Sequence, residues 1–410
     1  MLDRMDSVAD QPSSPSAEAG AQERHASWIE LFFDLVVVAG IGALSHLLHD
    51  AASATDVYLY AVLYLAFWTA WAAFAMYGNL AGDKARTTSM LAAMALLAVM
   101  VAAVPEIRGP HAVAFALAYA GLRVLADRMW GREQVVVDWP LMQLGFGITP
   151  WVVSVFVAGW WRYGLWGVGV AVDLAVMFTM SSGRMGRAAR QRAEHIEQAH
   201  PEVAGTIEIS ELHSDTAHLA ERLGLYVIIV LGEGLIQVID TASETEWDLA
   251  LVGVATGAFV LLVAIWTLAV RYGYAAVPHL SPTRLPVRIA MALHCFSTAA
   301  LAVVVTSLGS AVAHPHGELP AHVRWLLCAG TALYFAVGAL TGALLRMGWR
   351  WLLGSAMQCT LAPLVVGLAG GGLGAAWVVW LMTAVAAWQV LWLFRPALAA
   401  RRREHRGGDA

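Results

Sequence analysis

Glu233 lies near the middle of the apolar run LGLYVIIVLGEGLIQVI, residues 223–239. Counted from Arg222 at about 1.5 Å per residue, it sits roughly 16 Å into a hydrocarbon slab about 30 Å thick. A carboxylate at that depth is costly unless it meets a partner, a hydrated cavity or a proton, so it is the first residue to examine for chemistry. Arg222, Tyr226, Gln237 and Asp240 recur with it at helical spacing and share one face, opposite a face of Leu, Val and Ile. Such a face must point into a helix bundle or a water-filled cavity. Glu233 is then either the protonatable group of a transport or gating step, or a hydrogen-bonded residue that holds helices together.

The remaining candidates are acids and histidines in similar settings. Glu30 and Asp34 stand one turn apart at the start of an apolar run, where the helix dipole favours a carboxylate at Glu30. Asp34 is deeper, about 9 Å by the same count, and needs an arginine; Arg123 and Arg222 are the two candidates. Asp173 is a second acid near the midplane, expected to pair with Glu233 or with His294. His46, His49 and Asp50 form HLLHD, and His213, Asp215 and His218 form HSDTAH. Either has a metal reading, but interfacial histidines explain the first, and a helix cap with solvated histidines explains the second. No metal is assigned. No GxSxG, HExxH, Walker or GxGxxG element stands in a fitting context, so no cofactor is expected.

These residues need apolar helices to carry them, and the composition provides for that. Mean hydropathy is +0.63, apolar residues make up 59% and charged residues 13%, about half the charge of a soluble domain. The fold class is therefore an all-α polytopic membrane protein, with no feature that points to nucleic acid. Lys84 is the only lysine, which excludes a retinal-type Schiff base within a span. Cys295, Cys328 and Cys359 all fall in apolar runs and read as small buried hydrophobes. Residues 1–27 are polar, without the apolar core of a signal peptide, and are expected to form a disordered cytoplasmic tail.

Apolar windows fall near 28–49, 57–78, 88–105, 111–127, 138–161 and 163–182, then 222–240, 249–272, 288–313, 323–345, 350–369 and 374–395. About twelve transmembrane helices follow, with kinks expected at Pro150 and Pro363. Alternate loops carry most of the bases, among them Lys84, Arg86, Arg128, Arg132, Arg284 and Arg346, whereas the opposite loops hold Arg108, Arg162 and Arg324. The positive-inside rule places both termini in the cytoplasm, and the protein is expected in a plasma membrane. Short matches recur in order: Glu30 with Glu221, Trp68-Thr69 with Trp266-Thr267, His111 with His322, and Met142-Gln143 with Met357-Gln358. They point to two parallel six-helix repeats, 28–182 and 221–396, separated by a cytoplasmic linker, 183–220, and followed by a basic tail, 397–410. Arg184, Arg187, Arg190 and Arg192 of the linker, with the tail, are expected to meet anionic lipid headgroups.

The stretches ELFFDLVVV…LSHLL (30–48) and HLAERLGLYVIIVLGEGLIQVI (218–239) resemble the two signatures of the bacterial low temperature requirement A family. W…YGN at 68–79 and GFGITPW in the fifth window fit as well, and the resemblance runs from about 28 to 395. It maps the first signature's residues to Glu30, Asp34 and His46, and the second's to His218, Glu221, Arg222 and Glu233. Gly234 stands where members of that family often carry serine, so no hydroxyl follows the carboxylate here. The family is named for a cold-growth phenotype, so the resemblance implies identity rather than a mechanism. Phe32-Phe33-Asp34 is also similar to the FSD signature of potassium and proton channels built from six-span repeats, although Gly224-Leu225 breaks the motif in the second half. Midplane acids, a polar helix face, interrupted spans and duplication together fit a proton- or cation-coupled secondary transporter. A cation or proton channel is the alternative. A lipid-modifying membrane enzyme is a third reading, for which only HLLHD or HSDTAH offers interfacial chemistry.

Overall fold

The computed structural model describes residues 25–49, 53–130, 134–136, 145–179, 210–271 and 285–407, together with Gly273 and scattered positions between 184 and 198. Most of the expected N-terminal tail, Asp50, Arg192 and much of the linker lie outside the described residues.

The chain forms helices α1 (Trp28–His49), α2 (Ala54–Ala81), α3 (Thr87–Ala103), α4 (Ala112–Arg128), α5 (Ile148–Ser154) and α6 (Trp160–Thr179). There follow α7 (Thr216–Glu244), α8 (Leu249–Trp266, extended by a π turn over Thr267–Arg271), α9 (Val287–Val312), α10 (Ala321–Leu344), α11 (Trp349–Ala369) and α12 (Ala375–Gly407). Among the described residues the one pair of strands is short: β1 (Gln134–Val136) lies parallel to β2 (Ser210–Leu212), with Gln134 opposite Ser210. Among the described residues, eight helices are long and apolar enough to cross a membrane: α1, α2 and α7 to α12; α3 is apolar but shorter. Phe32, Leu35, Ile236, Ile239, Val252 and Val263 face outward, as lipid contact requires.

Local chemistry sets the helix starts. Ser53 and Asp56 form a capping box at α2, Asp248 caps α8, and Asp215 caps α7 by accepting from the backbone N–H groups of Ala217 and His218. That last cap starts α7 at Thr216, five residues before the expected boundary at 221. α12 runs through the expected basic tail to Gly407, because ALAARRREHR is rich in helix formers.

The fifth window departs most from expectation. Its described residues hold a helix of seven residues, with Pro150 in the first turn, while 138–144 lie outside the described residues. Proline costs little there, since the first N–H groups have no helical partner, so it starts a short helix rather than kinking a long one. Pro363 does lie inside α11, which also carries a π turn over Leu352–Ala356.

α2 is enclosed along almost its whole length and brings Tyr64, Phe67, Trp68, Trp71 and Phe74 into the core. α1 packs on α2 and α3, α3 on α4, α4 on α5, α5 on α6, and α2 on α6. In the second half α7 packs on α8 and α9, α9 on α10, α10 on α11, α11 on α12, and α8 on α12. The halves meet along a seam where α1 and α2 face α7 and α9.

Candidate functional site

Among the described residues the acids inside the bundle occupy three places. The first joins α1, α2 and α7. The Asp215 cap aims His218 and Arg222, one turn apart, at the opening turns of α1. Arg222 is fully buried, with Nη1 2.8 Å from Glu30 Oε1 and Nη2 2.6 Å from Asp34 Oδ1. Ser27 donates its backbone N–H and its hydroxyl to Glu30 Oε2, each at 2.8 Å. Trp71 Nε1 donates to Asp34 Oδ1 at 2.7 Å. His218 Nε2 stands 3.5 Å from Glu30 Oε2, and its Nδ1 is 3.0 Å from Asn79 Nδ2. Charges so far from water persist only because each is paired, and removing one member strands the rest.

An aromatic layer backs this group. Trp71 lies against Tyr226, ring centroids 4.4 Å apart, and stacks on His294 at 5.5 Å. Trp68 Nε1 donates to His294 Nδ1 at 3.3 Å, and His294 Nε2 is 3.1 Å from the Leu223 carbonyl. An indole N–H only donates and a carbonyl only accepts, so His294 is held as the neutral tautomer with its proton on Nε2.

The second place lies within the first half. Arg123 of α4 forms a buried ion pair with Asp173 of α6. Tyr119 donates to Asp173 Oδ2 at 3.2 Å, accepts from Arg123 at 3.2 Å and meets the Thr69 hydroxyl of α2 at 3.0 Å. Gly147 is required here: a Cβ on it would sit 2.0 Å from Asp173 Oδ1. Asp173 thus pairs with neither Glu233 nor His294, against expectation. α4 and α6 bring Asp173 and Arg123 together beside α2, and Trp68 already engages the imidazole of His294.

The third place is Glu233, half-buried on α7. Gln237 Nε2 donates to Glu233 Oε1 at 3.1 Å. The same oxygen lies against Gly42 of α1, where an added Cβ would be 2.6 Å from it. Gly234, the next residue, lets α9 approach closely: its Cβ would fall 2.5 Å from Val305 Cγ1. Among the described residues no arginine, lysine or histidine lies within ion-pair distance of Glu233.

The expected polar stripe of α7 is therefore one face with three environments. Arg222 and Tyr226 are buried in the seam, Glu233 and Gln237 are half-buried, and Asp240 is exposed. His218 is buried rather than solvated, while His213 and His46 are exposed. Glu221 is partly exposed, 3.5 Å from His25 Nδ1. Among the described residues no three His, Cys, Asp or Glu side chains are grouped so as to hold a metal ion. Arg184, Arg187 and Arg190 are exposed.

Over residues 25–387 the chain matches the family described as bacterial low temperature requirement A protein (LtrA). It belongs to that family. No curated protein and no solved structure matches it. In this LtrA protein the two stretches that carry the resemblance face each other across the seam. Glu30 and Asp34 of the first meet His218 and Arg222 of the second, and Gly42 of the first meets Glu233 of the second. Sequence reasoning missed Trp71, Trp68, Asn79, Tyr119 and Gly42 as members of these sites. A signal existed for the indoles, since Trp68 and Trp71 lie three apart and share a helix face.

Proposed function

We propose that this LtrA protein is a proton- or cation-coupled transporter in which Glu233 is the coupling carboxyl. One observation carries the reading. Among the described residues the other acids inside the bundle are held by arginines, Glu30 and Asp34 by Arg222 and Asp173 by Arg123, whereas Glu233 has the Gln237 amide and no cation. A half-exposed carboxyl at bilayer depth needs either a proton or a water path, and a group that alternates between the two couples proton movement to conformation. The seam position supports this, because relative motion of the halves would change what Glu233 faces.

Twelve membrane helices in two parallel repeats belong to the same reading. The order of helix packing within the first half recurs in the second. So does a side-chain contact at the same place: Arg108, between α3 and α4, reaches Asp56 at the start of α2, while His316, between α9 and α10, reaches Asp248 at the start of α8. The likeness of Phe32-Phe33-Asp34 to the channel signature supports a second reading, a cation or proton channel.

Flux of sodium, potassium and protons through the purified protein in liposomes tests both. Saturable, gradient-coupled uptake supports the transporter, and unsaturated current along the gradient supports the channel. Glu233→Gln keeps the shape and removes the charge. We expect it to fold and insert normally and to lose pH-dependent flux; full pH-dependent flux in this variant would make Glu233 a packing residue and end the reading.

A further inference from the structure

Glu30, Asp34 and Arg222 bring two carboxyl groups and one guanidinium together away from solvent. The nearest further base does not balance them. Asn79 is fixed by the backbone of Asp215, its Oδ1 accepting the N–H at 2.9 Å and its Nδ2 donating to the carbonyl at 2.8 Å. Nδ2 is therefore the atom that faces His218 Nδ1, at 3.0 Å. An amide nitrogen only donates, so His218 Nδ1 accepts, and the ring is neutral with its proton on Nε2, toward Glu30. His294, behind Trp71, is neutral by the same logic. Tyr226 adds no charge, Glu221 on α7 is turned toward His25, and α3, packed on another face of α1, contains no ionisable residue. Among the described residues the basic groups within ion-pair distance of the two acids are Arg222 and His218, so with both acids ionised one negative charge would remain uncompensated by the groups that contact them.

The two carboxyls differ in what they are offered. Glu30 Oε2 receives the Ser27 N–H and hydroxyl and faces His218 Nε2, while Oε1 faces Arg222 Nη1. Asp34 Oδ1 receives Trp71 and Arg222, but Oδ2, fully buried, has no hydrogen-bond partner among the described residues; Glu30 Oε1 accepts no aligned hydrogen bond either, yet lies 2.8 Å from the Arg222 guanidinium. We propose that Glu30 and Asp34 share a single proton, resident on Asp34 Oδ2, so that the clasp between α1 and α7 is a proton-binding site distinct from Glu233. It lies about 12 Å along α1 from Gly42, the residue against Glu233. Losing the proton leaves a net charge between the halves and loosens their contact.

Infrared spectroscopy of the full-length protein in lipid nanodiscs reads protonated carboxyls through their C=O stretch. At neutral pH we expect a band that shifts when aspartate is labelled with carbon-13 and is absent from Asp34→Asn. It should also vanish in Glu30→Gln, where Arg222 has one acid left to balance, and persist in Glu233→Gln, so this proposal and the transport reading fail separately. A wild type without the band, its survival in Asp34→Asn, or its retention in Glu30→Gln would each overturn the shared proton. Asparagine also copies the protonated acid, with Oδ1 accepting and Nδ2–H in place of the hydroxyl. Asp34→Asn should therefore melt within about 4 °C of the wild type. Failure of that variant to fold, or a much lower melting temperature, would mean that Asp34 is ionised and the proposal wrong.

Discussion

Arg123 and Arg222 each neutralise acid that the membrane interior would otherwise reject, and they do so with different neighbours. Arg123 serves one acid, Asp173, with Tyr119 bridging; Arg222 serves two. Removing one partner of such a pair strands a buried charge, which costs about 3–5 kcal/mol, whereas replacing both by apolar groups is near neutral. Arg123→Met should therefore destabilise the protein by about 3–5 kcal/mol, and adding Asp173→Leu should restore most of it. Reversible unfolding in mixed micelles, run as a double-mutant cycle, checks this; additive losses would refute the pairing. Glu233→Gln strands no charge, and its stability change should stay within about 1 kcal/mol. That Asp34 needed an arginine was legible from its depth. Which arginine was not, because Arg123 and Arg222 are equally plausible until the helices are packed.

Between elements, small residues decide how near the polar groups come. Gly42 admits the Glu233 carboxyl to α1, and Gly234 admits Val305 of α9 to α7. Gly42→Val would place two methyl groups where the carboxyl lies. Overpacking of this kind costs about 1–3 kcal/mol, so the variant is expected to insert, to lose some stability and to lose the flux that depends on Glu233. Gly232 is the control: nothing lies within 4 Å of a Cβ added there, so Gly232→Ala should leave flux and melting temperature near the wild type. Proteoliposome flux and melting curves on the two variants separate close approach from general damage. The glycines were visible in the sequence, but their role was not, since a glycine in an apolar helix reads the same whether it faces lipid or a carboxyl. The fifth window shows the reverse limit: hydropathy marked a full span, but its described helix is short and begins beside Pro150.

For the whole molecule, the loop charges predict that both ends and the linker lie in the cytoplasm. Cysteines introduced at positions 200 and 405 should react with a membrane-impermeant reagent only in opened cells; labelling of either in intact cells would overturn the orientation. The repeated packing order and the paired Arg108–Asp56 and His316–Asp248 contacts predict that α1–α6 superpose on α7–α12 by a half-turn about the membrane normal. An experimental structure with inverted halves would refute it.

The helical membrane class, most of the helix positions and the acids worth suspecting were legible in the order of residues. These depend on local quantities: hydropathy over one turn after another, caps set by neighbouring residues, and a rise that converts residue number into depth. Which acid meets which arginine depends on how the helices pack. Asp34 and Arg222 are 188 residues apart in the chain, and Arg123 and Asp173 are 50 apart. Whether they meet depends on which helix faces pack together, and apolar faces of similar composition do not encode that choice one helix at a time.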